Sequence, residues 1–187
     1  MEHEKRRFFD LRTMISIAVM AAIISVISPF IIPLPFTMVP VTFANLVIFL
    51  GVFLLGMKSG TASVLIYLLI GFVGLPVFSG FTGGLSMLAG PTGGYLIGYI
   101  FMALICGLFV DRFKNSRMMY CVGMILGMLV LYALGTLWLA FQANLTFIAA
   151  LFAGVIPFIP GDIAKIIICL VLGPVLQKGL SRSGVLL

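Results

Sequence analysis

Phe158-Ile159-Pro160-Gly161-Asp162-Ile163-Ala164-Lys165 carries the two charges that this chain sets deep inside apolar sequence. Every other lysine or arginine lies in one of four clusters, Lys5 to Arg12, Lys58, Arg112 to Arg117 and Lys178 to Arg182, and the acids Glu2, Glu4, Asp10 and Asp111 keep company with them. The segments between the clusters are apolar: 63% of the 187 residues are hydrophobic, 9% are charged and the mean hydropathy is +1.31. An ordinary soluble domain is about 25% charged, so the chain reads as an integral membrane protein. Long apolar runs without residue-by-residue alternation exclude an outer-membrane barrel, and 21 glycines suit helices that approach closely in lipid.

Basic residues collect in cytoplasmic loops. If all four clusters obey that rule, an even number of crossings lies between neighbouring clusters, and two apiece give an all-α bundle of six transmembrane helices with both termini cytoplasmic. The expected helices cover residues 11–28, 41–56, 60–75, 91–111, 117–139 and 161–178 of a single membrane domain, 1–187. Topology thereby accounts for the formal net charge of +6 without a nucleic-acid partner. The charged N-terminus superficially resembles a secretory signal, but no small-residue cleavage site precedes Pro29, so the run from Thr13 is read as a first anchor. Within it Ala18 and Ala22 share a face, widened by Ala21 and Ser25. Small residues four apart permit close helix contact, either inside the bundle or against a partner.

On this topology three irregular segments meet on the outer side. One is the apolar loop punctuated by Pro29, Pro33, Pro35 and Pro40, where proline excludes helix. The second is Ser79 to Tyr95, with six glycines that let the backbone run close to a ligand or pack as a tight re-entrant turn. Pro91 is expected to open the fourth helix, whose N-terminus suits an oxyanion. The third is the break at Phe158 to Gly161. Lys165 lies thirteen residues before Lys178, about 20 Å of helix against a hydrocarbon core of ~30 Å. It therefore sits below the outer surface, beneath those loops. Trp138, with Gln142 and Asn144 behind it, reads as an interfacial anchor.

A charge at the centre of a membrane helix costs roughly 2.5–3.5 kcal/mol and usually faces a cavity or a partner. Asp162 and Lys165, three apart, share a helix face. Either they bind a ligand together, or Asp162 caps the helix and Lys165 neutralises it. The chemistry on offer is recognition: the one histidine is His3 in the charged tail, and no Ser-His-Asp set or metal-ligand cluster exists. Cys106, Cys121 and Cys169 read as buried hydrophobes, and no cofactor is indicated. A G-x-x-x-x-G-K-[ST] loop is absent, so ATP-driven pumping by that route needs another subunit. The polar inventory inside the membrane adds Thr42, Asn45, Thr82, Thr92, Tyr95, Tyr99, Gln142 and Asn144. It suits a small, largely apolar anion with a hydrogen-bonding head.

Gly83-Gly84-Leu85-Ser86-Met87-Leu88-Ala89-Gly90-Pro91-Thr92-Gly93-Gly94-Tyr95-Leu96, Pro160-Gly161-Asp162-Ile163-Ala164-Lys165 and Val39-Pro40-Val41-Thr42 together closely resemble the BioY family over essentially the whole chain. These are biotin-binding S components of bacterial energy-coupling-factor (ECF) transporters. The resemblance implies six helices in the bacterial cell membrane, a substrate site near the extracellular face under the loops after helices 1, 3 and 5, and no enzymatic activity. Its implied partners are a membrane coupling subunit (the T component) and two ATPase subunits, docked through an Ala-x-x-x-Ala strip that Ala18 and Ala22 match. For biotin, it implies that Lys165 pairs with the valerate carboxylate and Asp162 accepts from the ureido ring. Tyr95, Gly93, Gly94, Thr82, Gly83, Gly84, Thr42 and Asn45 complete the expected site. Two departures stand out: Ala44 occupies the place of a usual Gln, with Asn45 beside it, and Thr82 stands where relatives can carry Asn. Rival readings are an S component for thiamine or riboflavin, an intramembrane enzyme with Asp162 as base, or a scaffold in which the pair holds two helices together.

Overall fold

A computed structural model describes residues 10–35, 37, 39–113 and 116–182, without the side chain of Arg182. The expected charges at Glu2 to Arg7 and at Lys114 lie outside the described residues. Among the described residues the architecture is helical apart from a two-residue ladder and an isolated bridge between Phe78 and Thr82. In order it runs α1 (Leu11–Ile27), β1 (Ile31–Ile32), β2 (Val41–Thr42), α2 (Ala44–Phe72), α3 (Gly93–Arg112), α4 (Arg117–Gln142), α5 (Phe147–Gly154) and α6 (Ile159–Arg182). Short 3-10 turns at Leu85–Met87 and Ile156–Phe158 precede α3 and α6. Among the described residues four helical segments are long and apolar enough to cross a membrane: Ala44–Phe72, Gly93–Arg112, Arg117–Gln142 and the run Phe147–Ser181. The 17 residues of α1 are apolar but shorter.

α2 is one helix by hydrogen bonding and two by direction. Gly56 holds φ +78° and ψ −178° inside it, a conformation that costs a residue with a Cβ dearly. A Cβ on Gly60 would come within 2.7 Å of Val52 Cα. Residues eight apart in an unbroken helix are about 12 Å apart, so residues 44–55 and 57–72 fold back on each other at Gly56. The corner is fastened by Asp111 of α3, whose Oδ2 accepts the Met57 N–H at 3.2 Å. The spans expected at 41–56 and 60–75 are thus the two arms of α2. The first arm starts at Ala44 because Val41 and Thr42 are held in the ladder.

Tight glycine contacts align the remaining helices. Gly51 leaves room for Met20 of α1, Gly107 of α3 for Met57, and Gly173 of α6 for Phe53. These registers gather Arg12, Lys58, Arg112, Arg117 and Lys178, all exposed, at one end of the bundle. The three irregular segments gather at the other.

Several boundaries differ from expectation for local reasons. Pro91 does not open a helix; it lies in a turn, and α3 is entered through Thr92. α4 continues past residue 139 to Gln142, where Asn144 turns the chain at φ +51°. α6 begins at Ile159, not at 161, because Pro160 is tolerated in a first turn where no N–H is needed. Its Pro174 is accommodated within the helix. Trp138 is not a free interfacial anchor: its Nε1 donates to Gly90 O at 3.0 Å, and its ring lies where Cβ atoms on Gly93 and Gly94 would be.

Candidate functional site

The first two turns of α6 place Asp162 and Lys165 on the face turned toward α2 and α4, and the three helices close a polar cluster between them. Lys165 Nζ donates to Asp162 Oδ1 at 2.7 Å, to Asn45 Oδ1 at 3.0 Å and to the Thr42 carbonyl at 2.8 Å. Asn45 Nδ2 donates to Asp162 Oδ1 at 2.8 Å, and Tyr132 Oη donates to Asp162 Oδ2. Asp162 is 5% exposed, Lys165 7% and Asn45 4%. Thr42 reaches the cluster because β2 ends there: its Oγ1 accepts the Ala44 N–H at 3.1 Å, a side-chain turn that starts α2 and leaves the carbonyl aimed at Lys165. The capping reading of Asp162 gives way here, since side chains from three helices take its oxygens.

Beside the cluster lies a cavity, open at its mouth, whose lining combines a few convergent polar groups with apolar walls, as small-molecule sites do. Its floor is Thr42, Asn45, Tyr132, Asp162 and Lys165. The walls are largely apolar, from Val39, Val41, Phe78, Met87, Leu96, Leu131 and Phe158, with Tyr95 and Tyr99 among them. Ser79 and Thr92 bring hydroxyls from the glycine-rich segment. The β1–β2 hairpin, in which Ile31 pairs with Thr42 and Ile32 with Val41, brings Val41 and Thr42 to the cavity. It is clamped by Gly80 N donating to Pro29 O at 2.9 Å, by the Phe30–Phe81 edge contact, and by Thr37 Oγ1 donating to Ala153 O of α5.

Glycines set the walls. Phe78 packs where a Cβ on Gly71 would lie, 2.1 Å from its Cζ. Tyr95 passes over Gly135, where a Cβ would sit 2.2 Å from Cε1, and its Oη donates to Gly154 O at 2.8 Å. Gly135→Ala forces that ring off its seat and breaks the bond. Overpacking costs about 1–3 kcal/mol and the lost hydrogen bond about 0.5–1.5 kcal/mol. We expect the thermal midpoint of the detergent-solubilised protein to fall by roughly 5–10 °C; an unchanged midpoint would show that Tyr95 is not held this way.

Of the residues expected in the site, Asp162, Lys165, Tyr95, Thr42 and Asn45 line the cavity. Thr82, Gly83, Gly84, Gly93 and Gly94 do not, and each has a packing reason. Thr82 is exposed and donates to Ser79 O at 3.0 Å. Gly83 lies against the Leu75 carbonyl, while Gly84, at φ +96°, donates its N–H to Gly71 O at 2.7 Å. Gly93 and Gly94 are buried against Leu88 O and Trp138. The segment needs its glycines to fold tightly, and touches the cavity through Ser79, Met87 and Thr92. Tyr132 escaped the sequence reading. Its signal was a phenol at mid-span, which requires a hydrogen-bond partner when buried.

Ala18 and Ala22 are exposed on the outer face of α1, whereas Ile17, Ala21 and Ile24 are buried against the bundle.

Known proteins resemble this chain in sequence and in architecture. The BioY family description matches residues 1–182. The chain is 36% identical to "Biotin transporter BioY2" of Lactococcus lactis subsp. cremoris over 89% of its length and 91% of the relative's. It is 37% identical to "Biotin transporter BioY" of Thermotoga maritima, covering 79% and 86%. Among solved structures, one described as the S-component for biotin from an ECF-type ABC transporter superposes with a TM-score of 0.84 at 32% identity, covering 95% of both chains.

Proposed function

The chain belongs to the BioY family, and from that premise we infer that it binds biotin and takes it up as the substrate-binding component of an ECF transporter. The observation that carries the reading is the cavity floor: a buried acid and ammonium, bridged by an amide, beneath a largely apolar chamber.

The donor count favours one end of biotin at that floor. All three protons of Lys165 are engaged by Thr42, Asn45 and Asp162, and the Asp162–Lys165 pair is neutral as a unit. A carboxylate there would add a second buried negative charge beside Asp162, which is costly without a free cation. The neutral ureido ring fits better, with an N–H for the open side of Asp162. On this reading the valerate carboxylate, first assigned to Lys165, points to the mouth, where Ser79 and Thr92 supply hydroxyls. Asn45 then supplies an amide beside the Ala44 position.

Titration calorimetry on the purified protein with biotin, biotinamide, thiamine and riboflavin tests this. Biotin and biotinamide should bind with affinities within about tenfold of each other, because removing a carboxylate at a solvated mouth removes an exposed interaction of ~1 kcal/mol. Binding of thiamine or riboflavin in their place would overturn the biotin assignment. Trp138, the one tryptophan in the chain, is bonded to the segment that supplies Thr92, so biotin should also change its fluorescence.

The topology completes the proposal. With each arm of α2 crossing once, α1, the two arms, α3, α4 and α6 make six passes. The basic end faces the cytoplasm by the positive-inside rule, and the cavity opens toward the extracellular side of a bacterial plasma membrane. A coupling subunit and ATPase subunits supply the energy, and Ala18 and Ala22 form the contact strip.

A further inference from the structure

Asp162 is pulled from two sides. Lys165 and Asn45 both donate to Oδ1 from within the bundle, whereas Tyr132, half-buried on α4 in the cavity wall, donates to Oδ2. A carboxylate has about four acceptor positions, so these three bonds leave one, on Oδ2. Without a donor on the Oδ2 side, rotation of the carboxylate would let both oxygens turn to Lys165 and Asn45, and the acceptor would leave the cavity.

Resting on the reading that the ureido ring meets the floor, we propose that Tyr132 is a positioning residue that sets ligand specificity: it holds Asp162 Oδ2 toward the cavity, so that the site selects a head group presenting an N–H. The proton of Tyr132 Oη is itself engaged by Asp162, so the Oη–Oδ2 edge can accept and cannot donate. A ligand head with an alkylated nitrogen at that edge gains nothing from it and is excluded by its bulk. Sites built around such bonds discriminate by larger factors than apolar pockets do.

The test compares wild-type protein, Tyr132→Phe, Asp162→Asn and the double variant, each titrated with biotin and with biotins N-methylated at either ureido nitrogen. We expect Y132F to weaken biotin about 10- to 100-fold, the range of one charge-assisted hydrogen bond. It should leave the analogue methylated at the Asp162-facing nitrogen unchanged, so the selectivity ratio collapses. In the D162N background Y132F should add no further loss. Equal weakening of both ligands, or an unchanged ratio, would overturn the role of Tyr132 while leaving biotin binding in place. Wild-type protein that binds no biotin would overturn the functional reading and this inference with it. If Y132F folds poorly, Tyr132→Gln against Tyr132→Met repeats the comparison with an amide donor and with none, and Y132Q should retain the higher ratio.

Discussion

Lys165→Met should abolish most biotin binding and destabilise the bundle at the same time. Lys165 gives its three protons to Asp162, Asn45 and Thr42 at 2.7–3.0 Å in a site 7% exposed. Methionine keeps the apolar stem and removes the ammonium, leaving Asp162 as a buried carboxylate without its counterion. Breaking a buried pair this way costs about 3–5 kcal/mol, which should lower the thermal midpoint by roughly 10 °C or more. Binding suffers separately, because Asp162 loses the charge that fixes its orientation; a loss of about 100-fold or more corresponds to 2.7 kcal/mol or more. The double variant Asp162→Asn/Lys165→Met separates the two effects. It removes both charges, so much of the stability should return, while biotin binding stays lost. Should K165M keep wild-type affinity and lose only stability, the pair would be a scaffold and the binding reading would fall.

Helix content and the place of the polar pair were legible in composition because membrane physics leaves few choices. An apolar run in lipid must satisfy its own backbone, and charges are confined to its ends unless a partner awaits them. The break at Gly56 was legible through Lys58, a charge that marks an end, but its form was not. The chain reverses on one residue and keeps helical hydrogen bonding on both sides, because Asp111, 54 residues away, accepts the first free N–H. No local pattern encodes that contact.

The site was half legible. Asp162, Lys165, Asn45 and Thr42 stood out because polarity in apolar sequence is conspicuous, and they converge on one another. The glycine-rich segment was ambiguous because glycine has two uses, close approach to a ligand and close approach to other chain, and sequence alone does not separate them. Here Gly83 meets a backbone carbonyl, and Gly93 and Gly94 meet a helix and its tryptophan. The apolar lining, Phe78, Leu131 and Phe158, was hidden among dozens of chemically equal residues, and only long-range packing picks it out.

The largest effect on transport should come from residues far from the cavity. In α1 the inward face is Ile17, Ala21 and Ile24, and the outward face carries Ala18 and Ala22, one turn apart and exposed. Helix contacts in lipid depend on small residues that let backbones approach. Ala18→Leu/Ala22→Leu fills that strip without entering the core, where Ser25 bonds the Ala21 carbonyl and stays as it is. Overpacking costs about 1–3 kcal/mol per site, so a contact made through both alanines should weaken roughly 30-fold or more. Biotin uptake by cells supplying the coupling and ATPase subunits should fall to background, and the coupling subunit should no longer co-purify. Affinity for biotin and the thermal midpoint of the isolated protein should not change, because neither alanine touches the bundle interior. Had the strip served internal packing, both would drop together with uptake, so the double measurement distinguishes a docking face from a buried one.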